Sequence, residues 1–309
     1  MRILVVGAGA TGGYYGGKLA HAGRDVTFLV RPRRAAQLAA NGLVIKSPHG
    51  DLTVQAPKTT LAQDIGAPFD LIVLSCKAYD LDDAIDSFAP AVGADSMILP
   101  LLNGMRHLEA LDARFGSARV LGGQCVIAST LTDEGVIVHL NKIHAVAFGE
   151  RDASLSARIR AVDADLRTGG FDARLSENIL QDMWEKWTFL STLAGCTCLM
   201  RASIGNILAA PGGKQFILAM FDECSAIAQA NGHAPRQPAI DQAMRTLTQE
   251  QSTLTASMLR DVERKARIEA DHVIGDLLAR APDSVANDAR SPLRVAYAHL
   301  KAYEAQLAA

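Results

Sequence analysis

At 309 residues the chain exceeds the size at which a single hydrophobic core keeps growing, so two domains are expected. Hydrophobic residues make up 49% and charged residues 21%, the balance of a water-soluble globular protein, and no apolar stretch is long enough to span a bilayer uninterrupted. The formal net charge of -2 gives no global attraction to nucleic acid or to an anionic membrane, so neither is expected as a partner.

The chain opens on Met1-Arg2-Ile3-Leu4-Val5-Val6, an apolar run leading directly into Gly7-Ala8-Gly9-Ala10-Thr11-Gly12, which has the spacing G-x-G-x-x-G. The run is too short for the apolar part of a secretion signal and has no cleavage pattern after it. It reads as the first buried strand of a parallel sheet, in a protein expected to be cytoplasmic. A helix-compatible stretch, Thr11 to Ala22, and a second strand, Asp25 to Val30, complete a βαβ opening. In that context the glycines imply dinucleotide binding. Gly7 permits the tight turn and Gly9 lets a pyrophosphate approach bare backbone. Gly12 lets the helix pack closely, and the anion's charge sits at the helix N-terminus beside Ala10 and Thr11.

The second strand is followed by Arg31-Pro32-Arg33-Arg34, where an NAD enzyme of this class places an Asp or Glu for the ribose hydroxyls. Guanidinium groups suit a 2′-phosphate, so NADP(H) is the expected cofactor and Arg31 its best single contact. Helix-like Arg33–Asn41 leads to a small hairpin, Leu43–Lys46 and Leu52–Gln55 around Ser47-Pro48-His49-Gly50. Buried runs at Phe69–Ser75 and Met97–Leu102 continue the strand–helix alternation. Lys77 and Asn103 stand just past their carboxyl ends, where open α/β sheets bind ligands. Arg119–Ala128, Val136–His139, Ala145–Phe148 and Asp172–Leu175 read as further strands forming an irregular edge of one mostly parallel sheet.

Beyond that point strand patterns vanish and helical periodicity takes over, with Pro211-Gly212-Gly213, Asn231-Gly232 and Ala281-Pro282 as punctuation. The expected fold is therefore an α/β Rossmann-like N-terminal domain, residues 1–176, and an all-α C-terminal domain, residues 177–309, with the chemistry at their junction. Apolar helix faces in the second half suit either a core or a homo-oligomer interface, which periodicity does not separate. The five cysteines, Cys76, Cys125, Cys196, Cys198 and Cys224, lack disulfide or ligand spacing and read as buried free thiols. The eight histidines are dispersed, so no metal is implied.

The glycine-rich start, Arg31, Ser75-Cys76-Lys77-Ala78, Asn103-Gly104-Met105, Trp184-Glu185-Lys186, and Ser257-Met258 followed twelve residues after the serine by Glu269-Ala270-Asp271 resemble, in order and spacing, the ketopantoate reductase family. The likeness covers nearly the whole chain. It implies NADPH-dependent reduction of 2-dehydropantoate to pantoate on the route to coenzyme A. Lys186 would then be the general acid, hydrogen-bonded to the ketone oxygen as hydride arrives. Glu269 would orient the ribose and nicotinamide end of the cofactor and help set the protonation of the lysine, Lys77 and Asn103 would bind cofactor, and Asn103 and Ser257 would contact the substrate.

The chain departs from the family where asparagines follow the lysine at helical spacing. It has Leu190, Ala194 and Ile204, with Ser191, Thr192, Thr197 and Asn206 nearby. A site built from hydrogen bonds discriminates strongly and an apolar one does not, so a more apolar 2-oxo acid is the alternative substrate. A non-catalytic NADPH sensor would need neither Lys186 nor Glu269. A 3-hydroxyacid dehydrogenase of similar architecture would carry an acid after the second strand and an Asn-rich turn after its lysine.

Overall fold

The computed structural model describes residues 1–286, 288 and 290–308. Among them the strands are β1 (Arg2–Val6), β2 (Asp25–Leu29), β3 (Leu43–Lys46), β4 (Leu52–Val54), β5 (Lys58–Thr60), β6 (Leu71–Leu74), β7 (Met97–Pro100), β8 (Gly122–Leu131), β9 (Ile137–Gly149) and β10 (Asp172–Leu175). The helices of the first half are α1 (Ala10–His21), α2 (Pro32–Asn41), α3 (Leu81–Phe88), α4 (Arg106–Phe115) and α5 (Ala157–Leu166). The chain divides into two compact units, one of Met1–Leu102 and His107–Leu180, the other of Asn103–Arg106 and Gln181–Ala309.

The first unit is Rossmann-like. Its five-stranded sheet has the order β5-β2-β1-β6-β7 and every pairing is parallel. β1, β6 and β7 are buried along their length apart from Arg2, as a parallel sheet covered on both faces requires, which is why their sequences run apolar without alternation. The irregular edge expected of one sheet is instead a second sheet, ordered β10-β9-β3-β4 with β8 pairing β9. The hairpin β3–β4 is antiparallel as its turn residues imply, but β3 also runs parallel to β9. Helix α1 touches strands of both sheets. Tyr15 donates its hydroxyl hydrogen bond to the Ala145 carbonyl of β9 at 3.1 Å, and its ring meets Phe171 edge-on.

The segments expected as two strands, Val136–His139 and Ala145–Phe148, belong to one strand, β9: residues 137–139 and 144–149 both pair with β8, and residues 140–143 between them fall at a register shift. β5 escapes sequence reading for the opposite reason. Lys58-Thr59-Thr60 is an edge strand with little burial, so no apolar pattern marks it.

The second unit is helical. Its main elements are α6 (Ile179–Met200), α7 (Ile204–Ala209), α8 (Gly213–Ala230), α9 (Gln237–Leu247), α10 (Ser257–Glu263), α11 (Asp276–Ala279), α12 (Asp283–Ala286) and α13 (Pro292–Ala308), with a π-helical turn over Asp271–Gly275. Ile217, Met220 and Cys224 of α8 and Leu293, Ala296 and Leu300 of α13 are fully buried, so these two helices bring wholly apolar faces to the core. No helix among the described residues is long and apolar enough to cross a membrane.

Candidate active site

In the first unit the register aligns Val6 with Leu29 and Leu74, and Leu74 with Pro100, so the strands of the parallel sheet end level. The loops leaving β1, β2 and β6 therefore share the carboxyl edge, and they carry Gly7–Gly12, Arg31 and Lys77. Gly7 turns the chain at φ +89°, a conformation closed to side-chain-bearing residues at little cost. A Cβ on Gly12 would lie 2.6 Å from the Gly7 carbonyl oxygen, so the helix sits against the turn only because that atom is missing. Over Gly9 nothing lies within 4 Å of the corresponding position. Helix α1 begins at Ala10 with no side-chain cap and no acidic residue in its first turn. Its first N–H groups and the positive end of its dipole are left for an anion, which fits the pyrophosphate of a dinucleotide.

Arg31 caps the start of α2 with its side chain 75% exposed, and its guanidinium stands 3.9 Å from Asp80. Arg33 is exposed as well, whereas Arg34 turns inward. Arg34 Nε donates to the Ala8 carbonyl at 3.0 Å and its Nη1 to the Gly135 carbonyl at 3.1 Å, so it braces the glycine-rich turn against the loop before β9. Sequence reading grouped the three arginines together, and nothing in the local pattern separates the buried one. Lys77 is half-buried at the entry to a short turn, Ala78–Asp80.

The remaining sequence-predicted residues, Asn103, Lys186, Ser257 and Glu269, belong to the second unit. Lys186 lies in the first half of α6 and its ammonium donates to Asn103 Oδ1 at 3.1 Å. The His272 ring hydrogen-bonds the Asn103 backbone, so this asparagine is held from both ends. Gly104, at φ +76°, makes that possible: a Cβ there would come 2.6 Å from the His272 carbonyl oxygen. Burial pushes the His272 imidazole below its usual pKa, while Glu269 and Asp276 pull the other way.

The π-helical turn carrying His272 is fixed to α6 by two donors one helical turn apart. Trp187 Nε1 and Ser191 Oγ both give hydrogen bonds to the Val273 carbonyl, at 2.8 and 3.0 Å. A wide turn leaves such a carbonyl displaced from regular pairing, and α6 satisfies it. Glu269 is half-buried immediately before this turn. Asp271, by contrast, is occupied by α13, accepting from Tyr297 at 2.6 Å and from Lys301 at 3.0 Å. Ser257 opens α10 with its side chain exposed, and the preceding Ala256 N–H is tied to Thr197 of α6 at 3.3 Å. His272, which holds the Asn103 backbone, leaves no sequence signal, since a single histidine after Glu-Ala-Asp carries no pattern of its own.

Along α6, Lys186, Phe189 and Leu190 form a half-exposed face. Ala194, expected on the same open face, is 1% exposed, and Ile204 is fully buried. The hydroxyls near them are already engaged. Thr192 donates to Thr188 O at 2.9 Å, Thr197 to Leu193 O at 2.7 Å, and Ser191 to Val273. They do not replace missing asparagines, and Asn206 lies exposed on α7.

The histidines, dispersed in sequence, gather in space. His49, His139 and His144 of the first unit each offer a ring nitrogen, and these lie within 4.8 Å of one another.

The family model described as Ketopantoate reductase PanE/ApbA matches residues 3–153, and that of Ketopantoate reductase PanE/ApbA C terminal matches residues 178–285. Among curated proteins, the chain is 38% identical over 307 residues to "Uncharacterized oxidoreductase YkpB" of Bacillus subtilis, covering 99% of this chain and 100% of that one. It is 25% identical over 288 residues to a 2-dehydropantoate 2-reductase of Nostoc sp., covering 91% and 89%. Among solved structures, 2-dehydropantoate 2-reductase from Geobacter metallireducens superposes with a TM-score of 0.87 at 28% identity, over 98% of this chain and 99% of that one. D-mandelate dehydrogenase with NADH and anilino(oxo)acetate superposes equally well, TM-score 0.87 over 100% of both chains, at 18% identity, a likeness of fold alone.

Proposed function

The chain belongs to the ketopantoate reductase family of oxidoreductases, and from that premise we propose that it reduces the ketone of a 2-oxo acid with NADPH, with 2-dehydropantoate as the first substrate reading and pantoate as its product. The observation that carries the proposal is the hydrogen bond from Lys186 to Asn103. It fixes a cation on a half-exposed helix face, beside an asparagine whose backbone the His272 ring holds, with Glu269 acting electrostatically on that ring.

The uncapped start of α1 and the open approach over Gly9 fit a dinucleotide's pyrophosphate, and exposed Arg31 in place of an acid supports the 2′-phosphate of NADP(H). When bound, that cofactor supplies a hydride to the ketone carbon. Lys186 Nζ does the protein's part at the ketone oxygen: it donates a hydrogen bond that polarises the carbonyl, stabilises the alkoxide charge as it develops, and releases a proton to it. Asn103 keeps the ammonium aimed, and His272 and Gly104 keep Asn103 in place. Glu269, before the π-helical turn, supports the cofactor's ribose and the protonated state of the lysine.

A second reading, a more apolar 2-oxo acid, is favoured by one observation. The open face beside Lys186 is Phe189 and Leu190, and the neighbouring hydroxyls are spent on backbone carbonyls. The test is a panel in which NADPH oxidation is followed with 2-dehydropantoate and with 2-oxo acids graded in size and polarity, for the wild type and for Leu190→Asn. Turnover is expected on the panel. If the second reading holds, the wild type prefers apolar acids and Leu190→Asn shifts preference toward 2-dehydropantoate. Preference for 2-dehydropantoate in the wild type returns the assignment to the first reading, and no turnover on any 2-oxo acid removes both.

A further inference from the structure

We infer that His49, His139 and His144 form a binding site for a divalent transition-metal ion of the zinc class, apart from the oxidoreductase chemistry. His49 sits in the turn of the β3–β4 hairpin and the other two on β9. The parallel register of β3 with β9 pairs Lys46 with Val138, which brings the turn beside His139. One ring nitrogen from each histidine lies within 4.8 Å of the others. His139 and His144 are 3% and 6% exposed, an unusual placement for two imidazoles within a few residues of each other.

The hydrogen bonds set the rings up as ligands. His49 Nε2 is 2.8 Å from the Lys142 carbonyl and His139 Nε2 is 3.0 Å from the Ile143 carbonyl. A carbonyl only accepts, so both Nε2 atoms carry hydrogen and the lone pair of each ring is on Nδ1. Ser47 Oγ accepts from the His49 backbone N–H at 3.2 Å and donates to His139 Nδ1 at 3.0 Å, a bond that an ion would replace. The Tyr14 hydroxyl orients the third ring through His144 Nδ1 at 2.7 Å. Carbonyl and hydroxyl partners on the far ring nitrogen are what metal-bound histidines use to fix tautomer and orientation.

Three neutral imidazoles with no carboxylate select zinc, copper, nickel or cobalt over magnesium or calcium. Tetrahedral zinc with bonds of about 2.0–2.1 Å needs nitrogens about 3.4 Å apart, so ligands that lie up to 4.8 Å apart must close by up to about 1.4 Å. The His49 and His144 rings are now stacked, centroids 3.9 Å apart and 10° from parallel. Stacked rings face one ion only after one of them rotates, and His49, exposed on a turn, is the one placed to rotate, reorienting its 2.8 Å bond to the Lys142 carbonyl as it does so. The fourth position is left for water.

The experiment uses the full chain freed of metal with a chelator, then titrated with Zn2+ or Mg2+ by calorimetry and thermal melting. Zn2+ is expected to bind one-to-one and raise Tm, with Mg2+ inert, because an ion that binds only the folded state stabilises it. His49→Ala, at an exposed position that leaves the core intact, is expected to weaken zinc binding by at least about tenfold and to abolish the Tm shift. Absence of zinc binding by the wild type overturns the inference, and so does undiminished binding by His49→Ala, which would place the ion on other histidines. Activity is not the readout, so the outcome is independent of the proposed reductase function.

Discussion

Arg31 and Lys186 carry the proposal at the level of single side chains, and they are separable experimentally. Arg31 is mostly exposed with only a distant acid, Asp80, so its truncation disturbs little of the fold. Arg31→Ala is expected to weaken NADPH binding by about 1–3 kcal/mol, the loss of a charge-assisted contact, while NADH binding changes little. Equal loss for the two cofactors in a fluorescence titration would remove the 2′-phosphate argument. For Lys186→Met the expectation is reversed: cofactor affinity is retained and kcat falls by about 10²–10⁴-fold, the usual consequence of removing a positioned acid. Normal turnover by that variant would make the lysine a packing residue. Arg31 and Lys186 are marked as candidates in the sequence by strand-end position and motif spacing. Arg34 and His272 are not, since what distinguishes them is which carbonyl or amide they meet after folding.

At the level of elements, the loop Asn103–Arg106 and the π-helical turn form a pair whose closeness depends on one missing methyl. Gly104→Ala puts a side chain at φ +76° with its Cβ 2.6 Å from the His272 oxygen. The strained backbone alone costs about 1–3 kcal/mol, and the collision adds to it. The variant is expected to melt lower and to lose kcat more than it loses cofactor affinity, because the displaced loop carries Asn103 away from Lys186. Unchanged melting temperature and kcat would show that the loop and turn are not coupled. The element β1–α1 was readable from its apolar run and glycines, since both leave local signals. β9 is not, because residues 140–143 interrupt its alternation at a register shift against β8 that no local pattern marks. The three-histidine cluster is hidden for a related reason. His49 and His139 are brought together by the β3–β9 pairing, which no local pattern encodes.

For the molecule as a whole, acid stability is set in part by histidines that fold in neutral form. Burial lowers the pKa of His272, against the pull of Glu269, and burial lowers that of His233, which stacks on Trp184 with centroids 5.2 Å apart. In the unfolded chain both titrate near about 6.5. Below that value the unfolded state binds more protons than the folded one. The stability is therefore complete above about pH 6.5 and is lost as pH falls toward the depressed folded values. Tm is expected to drop between about pH 7.5 and about pH 5.5, and His233→Gln to reduce the drop. A Tm that is flat over this interval would contradict the assignment of these rings as neutral.

The assignment of Asn103–Arg106 to the second unit also bears on how the chain is made. Synthesis delivers the first unit's residues up to Leu180 first, yet these four residues in their midst group with a unit that begins again only at Gln181. During elongation the parallel sheet can assemble as a unit, but this loop waits for Lys186, and waits again, until His272 leaves the ribosome, for the partner that grips its backbone. The Lys186–Asn103–His272 arrangement is thus among the last features of the molecule to form, and a nascent chain arrested before residue 272 has its glycine-rich turn but not this arrangement.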